Sequence, residues 1–165
     1  MITEKLYIKN RKIEKYADYI LCHTASAQFF SKPIISFLEL GLPIDLSHIN
    51  IRTKMINTKS IHIIHAPSSK KQKGSDVFLK IISELKTEGY NIKYEQLHNI
   101  TNKLVLEKLS QCDFVLDQLY SDSPLAGLAT EAAFFSKPTI VGGYYTDIEK
   151  YLKCTPVPPS LYVEP

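Results

Sequence analysis

Between Ile61 and Gly143 two hydrophobic rhythms take turns. IHIIHA, residues 61 to 66, is a short apolar run rich in β-branched residues, which predicts a buried strand. Pro67 stops it, and the small, polar, lysine-rich stretch SSKKQKGS follows as a predicted loop. Val77, Phe78, Ile81, Ile82 and Leu85 then recur at helical spacing, with Ser75 predicted as the N-cap and Gly89 as the C-terminal stop. YNIKYEQLH alternates as a strand does, NKLVLEKLSQC reads as a short helix, and DFVLDQL as another buried strand. LAGLATEAAFFS is a helix of small residues, KPTIVGG a further strand, TDIEKYL a last short helix, and PVPPSLYVEP an extended, proline-rich tail. Strands alternating with helices imply right-handed βαβ units, so the fold class is α/β with a Rossmann-like, doubly wound parallel sheet.

Upstream, NRKIEKYADYILCHTASAQFFSKPIISFLELG reads as helix, strand, helix, too short for a second complete α/β domain. The stretch LGLPIDLSHINIRTKMINTKS, opened by a Gly-Leu-Pro break, reads as a connector. The expected organisation is therefore residues 1–45 as the end of a preceding domain with its hinge, and 46–165 as the Rossmann-like domain.

Composition narrows the classes. The 165 residues are 44% apolar and 22% charged, which is globular composition. A net charge of +3 suits a site for an anionic small molecule but is too weak for a nucleic-acid footprint. Cys22, Cys112 and Cys154 are odd in number and widely spaced, which suggests neither a disulfide framework nor a zinc site and fits a reducing, cytoplasmic compartment. No apolar run approaches the roughly 20 residues of a membrane span, and the charged start MITEKLYIKN lacks the apolar core of a signal peptide.

In an open parallel sheet, ligands bind beyond the carboxyl ends of the strands, so the chemistry should follow them. After the first strand, Lys70, Lys71 and Lys73 precede Gly74 and a helix start. Positive charge beside free helix N–H groups suits a phosphate or diphosphate, and glycine lets backbone come close to it. The segment is not a Walker loop. After the third strand, LYSDSPLAG brings Ser123, Ala126 and Gly127 to the start of a helix whose first turns carry Glu131, a carboxylate that could accept from a ribose diol. His62 and His65 stand three apart in a strand and so point to opposite faces, which argues against shared metal ligation. His65 and Asp117, both near carboxyl ends, could line the site, whereas Asp113 sits at a strand start. No nucleophile elbow or catalytic triad is legible.

Taken in order, Lys73-Gly74 opening a helix, the aspartate-led strand from Asp113 to Leu116, and Glu131-Ala132 followed by Lys137-Pro138 before a strand resemble the donor-binding half of a retaining glycosyltransferase of the two-Rossmann-domain (GT-B) type, from the large family that builds bacterial surface polysaccharides. ADYILCHTA and LPID resemble the end of such an enzyme's first domain and its hinge. The resemblance implies a nucleotide-sugar donor as substrate, no cofactor and no metal. Lys73 and Gly74 would meet the diphosphate, Ser123, Pro124, Leu125 and Ala126 would face sugar and phosphates, and Glu131 would hydrogen-bond the ribose. A wider set, His65, Ser68, Lys70, Lys71, Asp117 and Asp122, could line the same site. The catalytic residues are not assigned. The partners would be the donor and a glycan or lipid-linked acceptor, with no nucleic acid. The location would be cytoplasmic, with the inner membrane face as a peripheral site.

Two positions depart from that family. Ser68 stands where it often has an arginine, and Ser123 where the first of its paired glutamates would be. These departures keep open a second expectation, a non-catalytic nucleotide- or phosphate-binding α/β module. With so little of a first domain, the chain is expected to be a fragment or reduced relative of a larger enzyme that transfers sugar poorly alone. The apolar faces around Phe29, Phe30 and Phe37 leave room for a homodimer.

Overall fold

The computed structural model describes residues 2–22, 24–36, 43–45, 47, 59–121, 126–143 and 160–165. The chain forms two compact units, Met1–Pro43 and Ile44–Pro165. The connector expected over 40–60, the helix expected at TDIEKYL, His23, Phe37 and Cys154 lie wholly or mostly outside the described residues.

In the first unit, helix α1 (Ile2–Ile13) runs into a 3-10 turn at Glu14–Tyr16. Strand β1 (Leu21–Cys22) pairs in parallel with β2 (Ile35–Ser36), and a 3-10 helix at Thr24–Phe29 lies between them in sequence. The second helix expected upstream extends over residues 37–41, which lie outside the described residues; what precedes them is a 3-10 turn and a strand. Pro33 disfavours helix around it, and the backbone N–H of Ile35 instead finds the carbonyl of Ile20 at 2.8 Å. Buried Glu14 ties the turns together: it accepts from the backbone N–H of Ser31 at 2.8 Å, from the Ser31 hydroxyl and from Arg11 at 3.3 Å.

The second unit is α/β. Its elements are β3 (Ile61–His65), a one-turn helix α2 (Lys70–Lys73), α3 (Ser75–Thr87), β4 (Ile92–Gln96), α4 (Asn102–Gln111), β5 (Phe114–Leu116), α5 (Gly127–Phe134), β6 (Thr139–Gly142) and β7 (Leu161–Val163). The strands make one sheet in the order β4-β3-β5-β6-β7, every neighbouring pair parallel. Helices cover both faces. Ile63 and Leu116 pack with Phe78 and Ile82 of α3, while Ile64 and Val115 pack with Leu106 and Leu109 of α4, Ala132 of α5 and Phe135 at its C-cap. The apolar run IHIIH is continuous because alternate side chains feed two cores.

Several helix boundaries follow local chemistry. Thr101 caps α4 by accepting from the Leu104 N–H at 3.4 Å. Gly89 ends α3 in a Schellman motif: at φ +99° its N–H bonds the Lys86 carbonyl, and the Tyr90 N–H bonds that of Leu85. Ser136 closes α5 the same way at φ 55°, its N–H bonding Ala133 and that of Lys137 bonding Ala132.

Three expectations are corrected. The lysine-rich stretch is a helical turn rather than a loop. Ser75 is the first helical residue of α3 and not its cap; Gly74, at φ +72°, holds the N-cap position because that left-handed turn joins α2 to α3. The tail is a strand at its end, with Leu161, Tyr162 and Val163 in register with Ile140, Val141 and Gly142, since β6 otherwise leaves an unpaired edge.

Candidate functional site

From β3 the chain moves outward to β4, then crosses back to β5 and continues in the other direction. That reversal falls between β3 and β5, whose carboxyl ends are the place where an open α/β sheet takes its ligands. His65 and Asp117 stand at those two ends.

Asp117 is 1% exposed and lies at the centre of the contacts there. Its Oδ1 is 3.4 Å from Lys73 Nζ, and its Oδ2 accepts from the backbone N–H of Ala129, in the first turn of α5, at 3.2 Å. Burial raises the pKa of Asp117, opposed by the Lys73 charge and hydrogen bond and by the Ala129 N–H. Lys73 also donates to Gln118 Oε1, and Gln118 Nε2 donates to the Ser121 hydroxyl.

His65 is fully buried on the α3 side. Its Nδ1 bonds the Leu116 carbonyl at 2.8 Å, so Nδ1 carries the proton and Nε2 accepts from the Ser75 hydroxyl at 2.8 Å. Its ring meets Phe78 edge-on at 5.0 Å. Burial lowers its pKa, and the Lys73 charge lowers it further against the Leu116 bond. His65 is therefore a neutral pin joining β3, β5 and the start of α3. His62 points to the other face, where its Nε2 lies 3.0 Å from Glu95, itself 2.6 Å from Lys108. The opposite-faces expectation for the two histidines holds.

Glu131, two residues beyond Ala129 in α5, is half-buried and accepts from Asn102 Nδ2 at 2.8 Å. Burial is the largest influence raising its pKa, followed by the opposing Asn102 bond and then by repulsion from Asp117.

Gly74 has a reason other than the one expected from sequence. A Cβ there would stand 2.7 Å from Leu119 Cβ, so the space it leaves is filled by Leu119. Gly142 does the same from β6, where a Cβ would stand 2.2 Å from the Leu119 carbonyl oxygen. The segment after β5 is thus threaded between two glycines. The Leu119 N–H bonds the Lys73 carbonyl at 3.1 Å, and the Gly142 N–H bonds that of Gln118 at 2.7 Å.

Of the remaining expected residues, Ser68, Lys70 and Lys71 are exposed and Ala126 is the buried N-cap of α5. Asp122, Ser123, Pro124 and Leu125 lie outside the described residues. Gln118, Ser121 and Asn102 were missed. Gln118 follows Asp117 directly, and extending the strand-end rule by one residue would have found it; nothing local marks Asn102. On β4, in register with His65, the Gln96 side-chain amide nitrogen is buried without a hydrogen-bond partner, as is the Tyr94 hydroxyl two residues before it. Burial pushes the Tyr94 phenol up to about 12.

Among the described residues no group of three His, Cys, Asp or Glu side chains could hold a metal ion, and no helix is long and apolar enough to cross a membrane. No family model, curated protein or solved structure matches the chain.

Proposed function

We propose that the second unit is the nucleotide-sugar-binding half of a GT-B type glycosyltransferase, holding the donor's diphosphate for transfer of the sugar to a glycan or lipid-linked acceptor in the cytoplasm. The observation that carries this reading is the lysine held beyond the carboxyl ends of β3 and β5, on one carboxylate with the start of α5. Lys73 has three ammonium hydrogens, and Asp117 and Gln118 take two. Its side chain is 20% exposed, so the remaining hydrogen can meet a phosphate oxygen. Exposed Lys70 and Lys71 add charge nearby, and Glu131, oriented by Asn102, supplies an acceptor for a ribose hydroxyl. Charge developing on the leaving diphosphate would then be met by fixed groups, which is electrostatic transition-state stabilisation. The order of motifs in the sequence supports the same assignment.

The test is calorimetry with nucleoside diphosphates and the matching nucleosides. Lys73→Ala should weaken diphosphate binding while leaving nucleoside binding unchanged, and Glu131→Ala should weaken both. Loss of a hydrogen bond to a charged group corresponds to about 1.5–3 kcal/mol. Equal loss of both ligands in Lys73→Ala would reject the phosphate assignment.

Ser68 and Ser123 favour a second reading, a module that binds a nucleotide or phosphate without catalysis. Diphosphate binding without any hydrolysis or transfer of nucleotide sugars would select it.

A further inference from the structure

Lys73 is gripped at both ends. Its carbonyl accepts from the Leu119 N–H, and its ammonium group is held by Asp117 and Gln118. All three partners belong to the segment that leaves β5, and Leu119 is itself locked between Gly74 and Gly142. A lysine side chain free in water loses rotamer entropy when it is ordered. Here folding has already ordered it, so a ligand need not. The same carboxylate that holds Nζ also accepts the Ala129 N–H at the first turn of α5.

We infer that Asp117 is a positioning residue, one buried carboxylate that sets both the lysine and the opening turn of α5 for the anionic part of the ligand. This role rests on the diphosphate reading of the site. Asp117 is 1% exposed, so it acts through Lys73 and Ala129 rather than by touching the ligand. Its two oxygens have separate duties, and that makes the role testable. In Asp117→Asn the amide oxygen can still cap α5 at Ala129, but an N–H₂ donor replaces the acceptor that faces Lys73.

The experiment has two arms on the whole chain. The first is nitrogen-detected NMR of lysine ammonium groups, with Lys73 assigned by the signal missing in Lys73→Arg. An ammonium held by two acceptors exchanges slowly enough to be seen. The wild type should show the Lys73 signal and Asp117→Asn should lose it. Absence of the signal in the wild type, read as no signal lost in the conservative Lys73→Arg variant, overturns the proposal. The second arm titrates uridine, guanosine and adenosine diphosphates and their nucleosides. Asp117→Asn should raise the diphosphate Kd roughly tenfold or more, about 1.4 kcal/mol, and leave the nucleoside Kd unchanged. In a Lys73→Ala background it should have no further effect on diphosphate, because the two act as one unit. A purely structural Asp117 would lower both ligands together and add its effect to that of Lys73→Ala, which overturns the inference. Failure of the wild type to bind any of the diphosphates overturns the site reading instead, and with it this role.

Discussion

Replacing Lys73 with methionine keeps most of the side-chain stem and removes the charge that faces Asp117. The carboxylate then stays 1% exposed with the Ala129 N–H at 3.2 Å as its remaining contact. Breaking a buried pair from one side costs about 3–5 kcal/mol in general. Protonation sets a ceiling here, because an uncompensated carboxyl can always take up a proton. From the ordinary value of 3.8 for an aspartate, forcing it neutral costs at most about 4 kcal/mol at pH 7 and about 1.6 kcal/mol at pH 5, at 1.36 kcal/mol per pH unit. Lys73 is itself 20% exposed, so the observed loss should fall below that ceiling, at about 2–4 kcal/mol near neutrality. The sign follows from linkage. The folded pKa of Asp117 is raised by burial, so its contribution is favourable below the unfolded value and is lost as pH rises through the folded one. Without Lys73 the folded pKa rises further, and the difference between variant and wild type must grow with pH. Urea unfolding followed by circular dichroism, at pH 5 and pH 7, reads both quantities. Adding Asp117→Asn to the methionine variant should recover much of the loss at neutral pH. A loss under about 1 kcal/mol at pH 7, or one that is the same at both pH values, would refute the argument that a buried, charged Asp117 depends on Lys73.

The His65 pin predicts acid sensitivity: its folded pKa is depressed, so its contribution is complete above the ordinary 6.5 and is lost as pH falls through the folded value. The stability difference between wild type and His65→Gln should therefore shrink on acidification below 6.5, as measured by thermal melts across pH. Ser75→Ala should cost about 1–3 kcal/mol at neutral pH, because His65 Nε2 loses its donor in a fully buried setting. Gly142→Ala, with its Cβ 2.2 Å from a backbone oxygen, should cost about 3 kcal/mol or more, whereas Gly89→Ala, with nothing within 4 Å of the added Cβ, should cost only about 1 kcal/mol of backbone strain in urea unfolding. Ser136→Gly should stabilise by about 0.5–1 kcal/mol, because Ser136 holds a left-handed cap at φ 55° that glycine adopts without penalty.

The elements of the second unit were legible in the residues because their signals are local. The run IHIIH, the helical spacing from Val77 to Leu85, the stop at Gly89 and the alternation around Ile92–Gln96 each lie within one element, and so does the physics that sets them. The candidate positions at strand ends were legible too, since a parallel sheet takes ligands at its carboxyl edge whatever the strand order. The first unit was harder to read, because two-residue strands carry no periodicity and depend on pairing for their existence. The same holds for Leu161–Val163, which is a strand because β6 has an edge to offer it. Ser75 looked like a cap because serine often is one; a buried histidine ten residues earlier in the chain claims its hydroxyl instead. Gly74 announced a tight backbone, but only the packed chain shows that Leu119 is what comes close. The pairing of Lys73 with Asp117 spans 44 residues, and each residue alone reads as an ordinary charged side chain near a strand end. Local sequence sets the conformation a segment prefers. Which charge meets which carboxylate is set by the order in which the strands assemble, and that order is a property of the whole sheet.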